Sequence, residues 1–221
     1  YGIFDGGNHT ISNLTIDSTL NHIEDTGLFS LLGSIYVPIP VETLGLTDTE
    51  VKDLNIVDAT VISTHDYVGV LAGEAGWVSI NNVHITGTVT SLNYAIGGFL
   101  GYAEGWWTAE QRVFSMNGCS FTGTINGSYS IGGLIGTLNN ASIIDCEVDA
   151  DITDDGDGYH IGGLAGYAYG DTFYGCSTHG TVTGFYEVAG LFGEISGDPI
   201  TIEKCYSDAI VTATTTSAGD E

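Results

Sequence analysis

Positive charge is nearly missing from this chain of 221 residues: Lys52, Arg112 and Lys204 stand against 28 acidic side chains, for a formal net charge of −25. A protein that grips a phosphate backbone needs clustered Lys and Arg, so nucleic acid is excluded as a partner. No apolar run approaches the roughly 18 residues of a spanning helix, so membrane insertion through a helix is not expected. The first residue is Tyr1 and no basic-then-apolar leader follows it, which reads as a processed product or a piece of a longer chain. Neither CxxC nor HExxH occurs. That removes the common zinc and metallopeptidase motifs. Proline is also scarce, at 3 residues.

Glycine is abundant by contrast, at 33 residues, and 43% of the chain is hydrophobic with a mean hydropathy of +0.18. Such a chain folds despite its charge, and without a Gly-X-Y period its glycines must serve fixed structural points. They recur in a hexapeptide: Val68 to Gly73, Ile96 to Gly101, Ile131 to Gly136, Ile161 to Gly166 and Val188 to Gly193, with a degenerate copy aligned at Asp25. A second element follows each copy. Val83, Cys119, Cys146, Cys176 and Cys205 align; two residues on come Ile85, Phe121, Val148, Thr178 and Ser207. Next are the small Gly87, Gly123, Ala150, Gly180 and Ala209, then the β-branched Val89, Ile125, Ile152, Val182 and Val211. Polar residues fill the alternate positions, the pattern of a strand with one dry face.

Short strands and glycine corners on a repeat of roughly 27–30 residues predict an all-β fold: a single-stranded parallel β-helix, or β-solenoid, right-handed by the usual crossover rule, with about six to seven coils. Propeller blades need longer repeats, and the glycines exclude a helical repeat. The solenoid is expected over residues 1–211, with insertions near 34–50 and 104–112, and a Thr-rich tail or linker over 212–221.

The hexapeptides resemble the GLUG repeat of large bacterial and archaeal surface proteins, and the segment Ile3 to Ile16 looks like the coil that precedes such repeats. The resemblance covers almost the whole chain. It implies an extracellular or cell-surface setting, adhesin-like or beside the catalytic part of IgA-cleaving metallopeptidases. No catalytic residue belongs to the repeat, so the resemblance carries none over.

Candidate sites are set by what stacks and what protrudes. Cys119, Cys146, Cys176 and Cys205 share one inward column, expected to hold free thiols in a core ladder; paired disulfides between neighbouring coils are the alternative. Tyr94, Tyr129, Tyr159 and Tyr186 precede the hexapeptides and would stack, either as coil packing or as a sugar-binding strip. Trp106 and Trp107, beside Tyr102, form an aromatic insertion suited to a glycan or partner contact, with a loop that folds its rings back over the solenoid as the alternative. Asp154, Asp155 and Asp157, on a Gly-turned loop, are the candidate Ca²⁺ ligands, with a solvated turn as the alternative. Sequons at Asn8, Asn13, Asn126 and Asn140 permit glycosylation. The six histidines show no triad-like spacing, so no enzyme is expected. A solenoid without evident caps exposes strand edges, which points to self-association or continuation into a longer chain. Glycan binding is the second reading; ice binding through Thr86, Thr88, Thr122 and Thr124 and a lyase-type enzyme rank below it.

Overall fold

A computed structural model describes residues 2–20, 24–33, 49–105, 114–156 and 158–214. Among these the chain is all β, and every strand pairing is parallel. The chain winds repeatedly through three sheets of 13, 6 and 4 strands, called here the broad, side and narrow faces. One turn runs along the broad face (Phe114–Asn117, then Ser120–Gly127), the narrow face (Tyr129–Gly132) and the side face (Ile135–Asn139), before Ala141–Ile144 re-enters the broad face. The winding is that of a solenoid.

The columns read from the sequence are the columns of the fold. Ile85 pairs with Phe121, Phe121 with Val148, and Val148 with Thr178 and so on to Ser207. The β-branched column runs Val61, Val89, Ile125, Ile152, Val182, Val211 in the same way. A third inward column is Val51, Ile80, Met116, Ile143, Phe173, Ile202. Residues of these columns in the central coils are essentially fully buried. Each coil covers the apolar face of the next, which is where the stability of a solenoid resides.

The small-residue column marks a crowded corner. A Cβ on Gly123 would lie 1.8 Å from the Gly87 carbonyl oxygen, and one on Gly180, whose φ is +91°, 2.3 Å from that of Ala150. Backbones approach there too closely for a side chain on every coil.

Each coil turns at three left-handed corners. Before the Cys column stand Asp53, Asn82, Gly118, Asp145, Gly175 and Lys204, all with φ between 49° and 67°. At the narrow face stand Tyr67, Ala95, Ser130, His160 and Glu187, with φ between 49° and 63°. Between the side and broad faces the turn is made by Trp77, Asn140, Gly170 and Gly197. Two segments outside the described residues are bounded by residues of this region: 34–48 by Gly33 and Thr49, and 106–113 by Gly105 and Phe114. Thr49, Glu50 and Glu104, placed in insertions by the sequence reading, are strand residues.

One alignment needs correction. Thr26, not Asp25, pairs with Val68, while Phe29 pairs with Ala72. The degenerate hexapeptide is one residue shorter than its neighbour across that corner, so a copy of equal length cannot fit both pairings.

Candidate functional site: a tyrosine-lined edge

Among the described residues, those predicted to bind something do not converge. Trp106, Trp107 and Asp157 lie outside the described residues. Tyr102 is half-buried; its hydroxyl donates to Glu104 Oε2 at 3.0 Å and accepts from Asn139 Nδ2 at 2.9 Å. Burial, then the Glu104 charge, pushes its phenol above the usual range. Asp154 uses both carboxylate oxygens within its own turn, accepting the Gly156 and Gly158 amides at 3.0 and 3.1 Å. Burial raises its pKa against those two amides. Asp155 is exposed. Of the sequon residues, Asn8 and Asn13 are exposed at left-handed positions (φ 60° and 57°). Asn126 sits half-buried in a strand opposite Thr90 and Thr153, and Asn140 turns the third corner.

The four cysteines share one column and are free thiols, with Cys119, Cys146 and Cys176 buried and Cys205 half-buried. Their hydrogens go to nearby carbonyls and to one another: Cys146 Sγ lies 3.2 Å from the Ile144 oxygen. The adjoining thiols, with burial, hold Cys146 well above the ordinary thiol range.

What does converge is tyrosine, along the edge between the narrow and side faces. Tyr129 and Tyr159 stack at 6.2 Å between centroids, and Tyr159 and Tyr186 at 4.8 Å with planes 7° apart. Tyr67, one residue past the position aligned with Tyr94, meets Tyr94 and Tyr102 edge to face at 6.1 and 5.7 Å. The stacked rings spend their faces on each other, worth about 0.5–1.5 kcal/mol per pair beyond burial. A flat sugar-stacking platform is therefore not formed within the stack.

Carboxylates line the same edge. Glu74 faces Leu31 on one side and Tyr102 on the other, and burial, with Asp25, Glu104 and Glu24 nearby, pushes its pKa up to about 7. Further along, His160 Nδ1 lies 2.6 Å from Glu187 Oε2 and 3.2 Å from Glu194 Oε2.

Sequence spacing missed one triad-like grouping. Across the broad face, Ser120 Oγ lies 2.8 Å from His84 Nδ1, and His84 Nε2 lies 3.1 Å from Asn82 Oδ1. Ser120 and His84 are paired in the sheet ladder, whose amides bond to neighbouring coils, so no amide is offered there to a developing oxyanion. The same face carries the columns Thr86, Thr122, Asp149, His179 and Thr88, Thr124, Asp151, Thr181. The second column extends back through Thr60 to Thr15, and Asp149 and Asp151 interrupt both threonine runs on the same coil.

Comparison with known proteins agrees with the fold. The GLUG motif matches residues 93–126, 127–153 and 157–183. The chain carries GLUG repeats. Each matched GLUG stretch takes in a hexapeptide and the broad-face strand after it, so the repeat unit is one winding of the chain. Among solved structures, a candidate immunoglobulin A1 protease from Bacteroides ovatus superposes with a TM-score of 0.64 at 18% identity, over 99% of this chain and 64% of that one. This chain thus spans less than two thirds of that protein, and the likeness is one of fold. No curated protein matches it. The GLUG repeat is not an enzymatic family.

Proposed function

We propose that this chain is a structural and adhesive segment of an extracellular surface protein: a right-handed solenoid of six to seven coils that joins end-on to further coils, in a longer chain or in a second copy. One observation supports this most directly. The inward columns, fully buried through the central coils, run out to Ile202 at 45% exposure and Val211 at 43%. At the other end Phe4, which pairs with Val51 of the third inward column, is 40% exposed. A further coil laid on either end would bury these side chains at about 1.5–3 kcal/mol each and pair the open strand edges. The charge of −25 opposes association side to side. That leaves the ends as the favoured contact.

The test is electron microscopy and sedimentation of concentrated protein, with and without millimolar Ca²⁺. Rods that lengthen with concentration, and shorten again in Ile202→Asp or Val211→Asp, support end-on assembly. A strict monomer under both conditions removes self-stacking and leaves continuation within a longer chain. Ca²⁺ remains a candidate ligand of Asp154, Asp155 and Asp157, where it would compete with the two amides that Asp154 already accepts.

A second reading is glycan contact along the tyrosine edge, favoured by Tyr94, Tyr129, Tyr159 and Tyr186 at 37–44% exposure. With ring faces mutually stacked, recognition would run through hydroxyls. Polysaccharide binding that is unchanged in Tyr129→Phe and Tyr159→Phe would end this reading. The neighbour's name raises proteolysis, but the Ser120–His84–Asn82 grouping has no partner amides, and we read the chain as non-catalytic.

A further inference from the structure

The narrow-face corner builds the same three-sided niche on every coil. One wall is the left-handed residue of a coil, the second its counterpart on the next coil, and the third the residue just after the closing glycine of the next hexapeptide. That glycine makes the niche possible. A Cβ on Gly193 would lie 2.3 Å from the His160 carbonyl carbon and 2.4 Å from the Ile161 nitrogen. Gly166 abuts Ser130 and Gly101 abuts Tyr67 at comparable distances. Without side chains there, the side-face strand presses against the corner of the preceding coil and delivers its next residue beside it.

The niches are furnished differently. Successive sets are Tyr67, Ala95 and Tyr102; then Ala95, Ser130 and Thr137; then Ser130, His160 and Tyr167. The last is His160, Glu187 and Glu194. It alone among these combines an imidazole with two carboxylates, and their ligand atoms all lie within 4.8 Å of one another. Tyr159 and Tyr167 flank the imidazole, with centroids 6.3 and 5.6 Å away.

The contacts themselves are unlike ordinary hydrogen bonds. His160 Nδ1 is buried and has no partner in hydrogen-bonding geometry, although Glu187 and Glu194 oxygens stand 2.6 and 3.2 Å from it. Two acceptors crowd one nitrogen without lying in line with it. Ligands about 2.0–2.2 Å from a shared ion, at angles of 90–110°, stand roughly 3.0–3.4 Å apart and off each other's axes. The His160–Glu194 separation of 3.2 Å matches that spacing, while the 2.6 Å between His160 and Glu187 must open by a few tenths of an ångström to admit an ion. The ions that take one imidazole with two carboxylates are Zn²⁺ and its first-row neighbours.

We propose that His160, Glu187 and Glu194 form a three-ligand site for a first-row divalent cation of the Zn²⁺ type, which pins two successive coils together and keeps one coordination position open to the surface. His160 belongs to one coil; Glu187 and Glu194 belong to the next. The ion neutralises two carboxylates that a chain of net charge −25 otherwise holds side by side. Its binding free energy acts on the folded state alone, because the ligands come together only when the coils stack.

The experiment is equilibrium dialysis of the full chain against Zn²⁺ in excess Ca²⁺ and Mg²⁺, with metal analysis, beside a Co²⁺ absorption spectrum and thermal melts with and without chelator. His160→Asn and Glu194→Gln are the variants; Asn tolerates the left-handed backbone at 160. The expected result is about one tightly held Zn²⁺ per chain, a Tm that rises with Zn²⁺ and falls back with chelator, and Co²⁺ bands in the visible. Both variants should lose affinity by more than the roughly 10–100-fold that a mere supporting contact is worth, while melting like the metal-free parent. Zn²⁺ binding that persists in both variants, or that Ca²⁺ displaces, would be diffuse attraction to an acidic surface and overturns the site. So does a parent whose melting Zn²⁺ leaves unmoved.

Discussion

The hydroxyl of Thr178 donates to the backbone carbonyl of Gly190 at 2.5 Å, from a column position that Val148 fills one coil earlier. A polar side chain is thereby satisfied inside the core, at zero exposure. Thr178→Val keeps the shape but leaves the carbonyl unpaired, and the expected loss is about 1–3 kcal/mol in urea unfolding. Val148→Thr, with no equivalent demonstrated partner, should cost as much or more. A Thr178→Val variant as stable as the parent would show that the carbonyl finds another donor.

Gly123 is the tightest of the corner glycines named above. Gly123→Ala forces a Cβ onto the Gly87 carbonyl oxygen, where it would stand at 1.8 Å. Overpacking of this kind costs typically 1–3 kcal/mol, and relief here needs two coils to separate. We expect the upper end of that range, read as a lowered Tm and new amide exchange in both coils. Ala150→Gly in the same column should be mild by comparison.

Asp171 is completely buried; one oxygen accepts the Ala141 amide at 2.7 Å and the other has no partner. Burial, against hydrogen bonds from Ala141 and Tyr169, raises its pKa to about 8. The folded chain therefore prefers the neutral acid. Its contribution is fully present below about pH 4, where the unfolded chain is also protonated, and is lost as pH rises through about 8, with a slope of at most about 1.4 kcal/mol per pH unit. Glu74, raised to about 7, works in the same direction. Stability should fall between pH 5 and pH 8, and the fall should be shallower in Asp171→Asn. Parallel curves for the two proteins would show that Asp171 does not carry the dependence.

Thiol titration separates the members of the cysteine ladder. In native protein Cys205 should react readily, while Cys119, Cys146 and Cys176 stay protected by burial until denaturant is added. Four reactive thiols after unfolding confirm the free ladder; two or none would mean disulfides.

The broad-face columns were legible from sequence because each position restricts residue type on most coils: apolar for Ile85, Phe121 and Val148, small for Gly87 and Gly123, β-branched for Val89 and Ile125. Part of the first corner was readable too, since Asp53, Asn82 and Gly118 are types that accept a left-handed backbone. The narrow-face corner was not. Tyr67, Ala95, Ser130, His160 and Glu187 share no chemistry, because cross-coil bonds such as Ser130 N–H to the Tyr159 carbonyl impose the conformation that propensity would resist. The tyrosine ladder showed in the spacing, but ring orientation, which decides between platform and stack, did not. His160, Glu187 and Glu194 meet only through coil stacking, and no short motif records them.

The third corner sorts what this architecture lets vary. Some coils cross it on a single residue, Trp77 or Asn140, while 15 residues separate Gly33 from Thr49 and 8 separate Gly105 from Phe114. The strands on both sides keep their partners whichever route is taken. Because closing a longer loop costs little more than closing a short one, new sequence can accumulate along this one seam while the winding is inherited unchanged. Diversity is thus written in the margin of the rod, and a peptide grafted at Asn140 would be displayed there without disturbing the text.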